Sequence, residues 1–337
     1  MFSSSYKTKL SNKKFLVKIR VICGVTEGKM KGERLKERVA LKIGYIGTNY
    51  HGFQIQPRSG LPTIEGELFK ALKKQNIIKD RKAANYSAAG RTDKGVHALA
   101  QVVSFVTSNQ NTTPRMINSA LPDGSIWVSA IAKPYLGFNA RKDAISREYR
   151  YFLFLQTELD LDLYITRMRE ASELFVGTHD FSNFSLLQGN EYEVAGYSTT
   201  RGIKRIEVKT KKPFVIIDIE ASGFLRKMVR KIVSALRMVG SGMKDKRWIA
   251  DLLDLRIKEG IEPAPAFGLV LKNVSYRDVK FVEDEYAKRR IVERLKRDLV
   301  FHATMAEVLG EMTSEYAQYF WLFGNLRGTY LPAKSSK

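Results

Sequence analysis

A chain of 337 residues with 44% hydrophobic content holds enough apolar side chains for one large domain or two of ordinary size, and 57 Lys and Arg against 35 Asp and Glu leave it at +22 with a pI of about 9.9. That charge favours an anionic partner, and the absence of any long apolar run, with basic residues spread throughout, favours nucleic acid over a membrane. A single cysteine, Cys23, excludes an internal disulfide framework and a cysteine-based zinc site, which points to a reducing compartment and so to the cytoplasm.

The first 26 residues contain no Asp or Glu. They read as a disordered basic arm, with a transit-like signal or an internal start at Met30 as the other readings, so a nuclear or mitochondrial address stays open. Phe15 to Cys23 is too short and too charged to span a bilayer. From Val39 to Ile46 apolar residues alternate, predicting a strand, and Pro62-Thr63 opens a helix with Ile64, Leu68 and Leu72 at helical spacing. A short extended piece at Asn85 to Ala89 leads through a glycine-rich charged loop to the strand Gln101 to Val106. Thr113 as N-cap with Pro114 at the first helical position starts a short helix that stops at Pro122-Asp123-Gly124, and Ile126 to Ala132 follows as a strand.

The second half repeats this order without repeating the sequence: strand Arg147 to Leu155, helix Asp162 to Val176, strands Gly202 to Val208 and Phe214 to Ala221, a helix from about Phe224 to Val239, and strand Leu269 to Val274. Both halves match the β-α-β-β-α-β pattern of ferredoxin-like units. The expected fold is therefore α+β, with two such halves joined edge to edge into a mixed, largely antiparallel sheet with a central RNA-binding cleft. The expected partition is a basic extension over 1–37, halves over 38–145 and 146–278, and a charged helical extension over 279–337. Within the extension, Tyr286, Ile291, Leu295, Leu299 and Val300 lie near helical spacing, which suits a solvated packing helix or an RNA clamp.

Taken alone, Ala89 to Ala98 is a turn, since Asp93-Lys94-Gly95 is good turn chemistry and Arg91 is one more surface charge. The string Gly90-Arg91-Thr92-Asp93-Lys94-Gly95-Val96-His97, however, closely resembles the signature loop of the TruA family of pseudouridine synthases. The likeness continues from about Val39 to Tyr276 through Gly44 to Gln54, Phe138-Asn139-Ala140-Arg141, Ser146 to Tyr151, Gly177 to Phe181, Gly223-Phe224-Leu225 with Met228-Val229-Arg230, and Ala266-Phe267-Gly268-Leu269.

The resemblance implies an RNA-modifying isomerase acting on uridine in the anticodon arm of tRNA, around positions 38 to 40 in the bacterial type. It implies Asp93 as the catalytic carboxylate, Tyr149 as the active-site tyrosine, and Arg230 and Leu269 as further active-site members. Arg230 is the guanidinium that would hold Asp93 ionised and oriented. Arg91 is the implied wedge for an extruded base and Tyr149 the ring that stacks on it, with its hydroxyl available for proton transfer. The Phe138 segment is the implied tRNA contact, with Arg141, Lys142 and Arg201 as phosphate contacts. Without the resemblance, Arg226, Arg230 and Arg237 read equally as a solvated helix face or as phosphate contacts.

Breaking the C1′–N1 bond, turning the uracil and rejoining it through C5 needs no redox or energy input, so no cofactor is implied. The four histidines, His51, His97, His179 and His302, offer no close helical pair, no catalytic metal is expected, and His97 is expected to make a structural hydrogen bond in the loop. The sequence departs from the family where Thr107 to Pro114 lacks a second flipping arginine, for which Arg115 is the available substitute. Homodimerisation is carried over from bacterial relatives, with a monomer as the other outcome. The rival reading is a non-catalytic RNA-binding protein on the same fold; a structural ribosome-associated protein would explain only the charge.

Overall fold

The computed structural model describes residues 36–56, 60–122, 124–155, 161–186 and 198–322, with side chains to residue 316; the basic arm, Met30, Cys23 and Asp123 lie outside the described residues. Strand β1 (Glu37–Tyr45) is followed by helix α1 (Ile64–Lys74), the two-residue strand β2 (Ser87–Ala88), β3 (His97–Thr107), helix α2 (Pro114–Asn118) and β4 (Ile126–Ala132). Local chemistry sets the helix starts. The Thr63 hydroxyl accepts from the Gly66 amide at 3.2 Å and the Thr113 hydroxyl from the Met116 amide at 3.3 Å, caps worth about 1 kcal/mol each. Helix α1 also carries Glu65 and Glu67 in its first turn and Lys73 and Lys74 in its last, as its dipole favours.

The second half runs β5 (Ala144–Phe154), α3 (Leu161–Glu173), β6 (Gly177–Asp180), β7 (Thr200–Lys211), β8 (Phe214–Ala221), α4 (Met228–Gly240), α5 (Lys246–Leu253) and β9 (Leu269–Tyr276). A short strand β10 (Val282–Glu283) and helix α6 (Glu285–Leu322) complete the described chain. The strands form one sheet in the order β10-β4-β1-β3-β9-β5-β8-β7-β6, with β2 beside β3. In the first half β1 lies between β4 and β3, and in the second β5 lies between β9 and β8, so the same order occurs twice. Described pairings are antiparallel except one. At the seam β3 meets β9 in parallel through His97↔Val270 and Ala98↔Leu271.

The sheet and both halves share one buried cluster, and Ile232 and Leu236 of α4 are fully buried in it. Helix α4 starts later than its apolar spacing predicts. Lys227 takes a left-handed backbone at φ 60°, which breaks the helical path, so Phe224 and Leu225 lie in a preceding turn, and Arg226 is outside the helix. Helix α3 ends at Glu173 rather than Val176, because Phe175 turns into the core and Gly177, at φ 109°, starts β6. Strand β6, helix α5 and strand β10 were not expected from the sequence. The charged extension is one helix over Glu285–Leu322, and Arg115 anchors its start by pairing with Asp284 at 3.1 Å and lying 4.9 Å over the Tyr286 ring. The arginine considered for base flipping is therefore occupied in holding α6.

Candidate active site at the seam between the halves

The loop from Ala89 to Val96 runs into β3 next to the seam, and its backbone is tied on several sides. The Ala89 amide donates to Val102 at 2.8 Å and Gln101 Nε2 donates to the Gly90 carbonyl at 3.0 Å. Tyr45 and Thr92 join through their hydroxyls at 2.8 Å, and the Phe53 amide donates to the Thr92 carbonyl at 3.0 Å. The loop closes when the Val96 amide reaches the Asp93 carbonyl at 3.2 Å. Two glycines permit this packing. Gly52 sits at φ 98°, where a side chain is strained, and a Cβ on Gly47 would lie 2.0 Å from the Val96 carbonyl oxygen. Gly47→Ala is therefore expected to cost about 1–3 kcal/mol, read as a lowered midpoint in thermal or urea unfolding, because backbone rather than a flexible side chain must give way. An unchanged midpoint would show the contact to be slack.

Asp93 projects from this loop to the other half of the molecule. Its Oδ2 accepts from Arg230 Nη1 at 3.1 Å, with the side chains 27% and 13% exposed. The guanidinium is fixed on its other side by the Ala264 carbonyl, to which Nε donates at 2.5 Å, while the Ala264 amide donates to the Arg230 carbonyl at 3.0 Å. Tyr149 is buried on β5, its ring edge-on to Phe224 with centroids 5.1 Å apart. Burial first, and the Asp93 charge second, push its hydroxyl well above the ordinary tyrosine range, so the phenol keeps its proton and acts as a donor. Asp93, Arg230 and the Tyr149 hydroxyl are thus drawn into one electrostatic neighbourhood.

The remaining expected residues occupy differing settings. Leu269 is buried at the start of β9 opposite Tyr151, whose hydroxyl donates to the Pro265 carbonyl at 3.0 Å. Phe138 was expected to contact RNA, but its ring is 1% exposed, packed at 5.1 Å from the Tyr276 ring and 6.0 Å from that of Tyr135. It anchors the turn instead of presenting itself. That turn leaves Arg141 and Lys142 exposed, their amides held by Asn139 Oδ1 at 3.0 and 3.1 Å. Arg91 is exposed and forms no ion pair among the described residues. Arg201 donates to the Ser198 and Thr200 carbonyls at 2.8 and 2.6 Å.

Two organising residues went unassigned or underweighted in the sequence. Arg147 lies two positions before Tyr149, on the same side of β5. Its guanidinium donates to the carbonyls of Ala89 at 2.9 Å, Arg141 at 2.6 Å, Ala144 at 3.2 Å and Ser222 at 2.6 Å. It thereby gathers the segments that carry Arg91, Arg141 with Lys142, and the turn before Phe224. The alternation of Arg147, Tyr149 and Tyr151 along β5 was the available signal. His97 Nδ1 accepts from the Gly47 amide at 3.1 Å, so Nε2 carries the proton and donates to the Phe267 carbonyl at 3.1 Å. Burial lowers its pKa, which keeps the ring neutral and structural across the seam. Among the described residues no group of three His, Cys, Asp or Glu side chains is arranged to hold a metal ion.

A family model described as tRNA pseudouridine synthase matches residues 43–136 and 171–277. The chain is 48% identical over 280 residues to a protein named tRNA pseudouridine synthase A from Methanosarcina barkeri, covering 82% of this chain and 99% of the relative. It is 47% identical, over 82% of this chain and 99% of the relative, to the protein of that name from Methanosarcina acetivorans. The protein so named from Archaeoglobus fulgidus is 38% identical, with 80% and 94% covered.

Proposed function

This chain belongs to the tRNA pseudouridine synthase family, and we propose that it isomerises uridine in the anticodon arm of tRNA, around positions 38 to 40, with Asp93 as the catalytic carboxylate and no cofactor. The observation that carries this reading is the Asp93–Arg230 ion pair, made at 3.1 Å between the loop of one half and the long core helix of the other, with Tyr149 beside it. A carboxylate held in place by a guanidinium suits a reaction in which the C1′–N1 bond breaks, the uracil rotates, and C5 bonds to C1′ while the C5 hydrogen leaves to solvent and N1 gains one. Arg230 aims Asp93 through a charge-assisted hydrogen bond. Whether the carboxylate acts at the sugar or at the base, it must be reached by a nucleotide taken out of its stack, at a cost of a few kcal/mol.

Arg91, exposed on the same loop two residues before Asp93, is the side chain to enter the vacancy. The Tyr149 ring supports the extruded uracil, and its protonated hydroxyl offers a donor to a uracil oxygen. Leu269 supplies an apolar boundary below the base, while Arg141, Lys142 and Arg201 take the phosphate backbone, the contribution that makes affinity salt-dependent. The single cysteine agrees with a cytoplasmic setting, and no helix among the described residues is long and apolar enough to cross a membrane.

The test is to incubate the purified chain, without metal or nucleotide, with unmodified tRNA carrying tritium at uracil C5. Tritium release, with product mapped to the anticodon arm, is expected. Product in another arm would move the target while keeping the chemistry. No release across a varied tRNA set, with binding retained, would leave an RNA-binding protein on this fold.

A further inference from the structure

Strands β3 and β9 run parallel at the seam, so the chain enters both of them from the same end of the sheet. The loop carrying Arg91 and Asp93 leads into β3 there, and the turn Ala266–Gly268 leads into β9. The two approaches touch: a Cβ on Gly95, two residues after Asp93, would lie 3.4 Å from the Ala266 Cβ. The middle residue of the turn is Phe267. At 72% exposed, it is the most exposed aromatic side chain among the described residues. Tyr135, Phe154 and Tyr286 are also exposed, but each lies against a neighbour, namely Phe138, Phe214 and Arg115. Phe267 has no ring or cation against it among the described residues.

The ring is exposed on a backbone that is held from both sides. His97 Nε2 donates to the Phe267 carbonyl at 3.1 Å, and the Tyr151 hydroxyl donates to the Pro265 carbonyl at 3.0 Å. Ala266 packs against the buried cluster, and a Cβ on Gly268 would come within 2.7 Å of the Tyr151 ring and 2.8 Å of the Phe152 carbonyl oxygen. Leu269 is buried directly after. The turn therefore presents a bare apolar ring to water from a fixed position beside the Asp93 loop. Taking a uridine out of its stack leaves the bases on either side without a partner. Tyr149, buried near Asp93, suits the extruded uracil, and Arg91, at the entry of the loop, suits the vacancy. Phe267, beside the exit of the loop at Gly95, offers its π face to a base that has lost its neighbour, and every base can use such a face. Exposed Lys94 next to Gly95 and the net charge of +22 favour nucleic acid here over an apolar protein partner.

We propose that Phe267 is a stacking platform for a base of the RNA substrate, the one next to the extruded uridine. This rests on the isomerase reading, which supplies the extruded uridine. With full-length protein and unmodified tRNA, Phe267→Trp and Phe267→Tyr are expected to keep affinity within about twofold, and Phe267→Leu and Phe267→Ala to weaken it by about tenfold. All four should melt with the parent because the ring is exposed. The slope of affinity against salt should stay the same, because the ring neutralises no phosphate. In a tRNA with 2-aminopurine on either side of the target uridine, one site at a time, the parent is expected to quench one of the two probes. The Leu protein should leave that probe brighter by about twofold or more. A Leu protein that binds and quenches as the parent does overturns the proposal. Tritium release from C5-labelled tRNA by the parent, run alongside, separates the two readings. Release with no effect of Phe267→Leu leaves the isomerase and removes the platform, whereas the Leu defect without release keeps the RNA contact and removes the isomerase.

Discussion

Asp93→Asn is expected to reduce tritium release from C5-labelled tRNA by at least about 10³-fold while leaving tRNA affinity within about threefold of the parent. The change keeps the shape and one oxygen for Arg230 but removes the charge, which is what the proposed chemistry uses. The affinity should survive because binding to a polyanion rests on many phosphate contacts, none of which Asp93 supplies. Folding should survive too. The carboxylate is 27% exposed, and turning its ion pair into a neutral hydrogen bond costs on the order of 1 kcal/mol. Rate must therefore fall without a comparable fall in melting temperature or binding. Retained turnover in the Asn protein would remove Asp93 from the chemistry.

Arg230→Lys is the second large effect. One guanidinium edge serves Asp93 through Nη1, while Nε is bonded to the Ala264 carbonyl, so position and charge are both fixed by the fork. An ammonium on a flexible stem can neutralise the carboxylate or satisfy Ala264, and cannot hold both in the same geometry. Misplacing a reacting group by about 1 Å costs on the order of 10²-fold, so kcat is expected to drop by about that factor with KM little changed, and Arg230→Met should drop it further. A Lys protein with the parent's kcat would mean that charge alone, not orientation, is what Asp93 needs.

The fold was legible wherever one segment carried its own pattern. Strand β8 was read at its full extent because Phe214 to Ala221 opens on a continuous apolar, β-branched run, and the starts of α1 and α2 because Thr63 and Thr113 cap them. Strand β6 was not legible, since Gly177 to Asp180 is four residues long and is a strand only because Thr200 to Ile203 pairs with it. Helix α5 left a signal that went unread: Asp245 caps it by accepting from the Trp248 amide at 2.9 Å, ahead of Ile249 and Leu252. Asp93 and Arg230, which pair in the fold, were singled out through resemblance, since neither spacing nor composition links residues so far apart. Phe138 was misjudged because an aromatic next to basic residues reads as an RNA contact, whereas the ring is core. Arg147 was given no role because its alternation with Tyr149 shows only which face of β5 it shares, while its four partners are backbone carbonyls from segments that the folded sheet brings together.

The parallel meeting of β3 with β9 also sets when the molecule can act. Loop 89–96 is made early in synthesis, but the strand that borders it, Leu269–Tyr276, is among the last parts of the sheet to leave the ribosome. Arg230 precedes that strand, and its clamp, Ala264, precedes it by only a few residues. A nascent or truncated chain that ends short of β9 therefore exposes the edge of β3 and has no settled partner for Asp93. Competence therefore waits until β9 has been made, because contacts this distant in sequence form late.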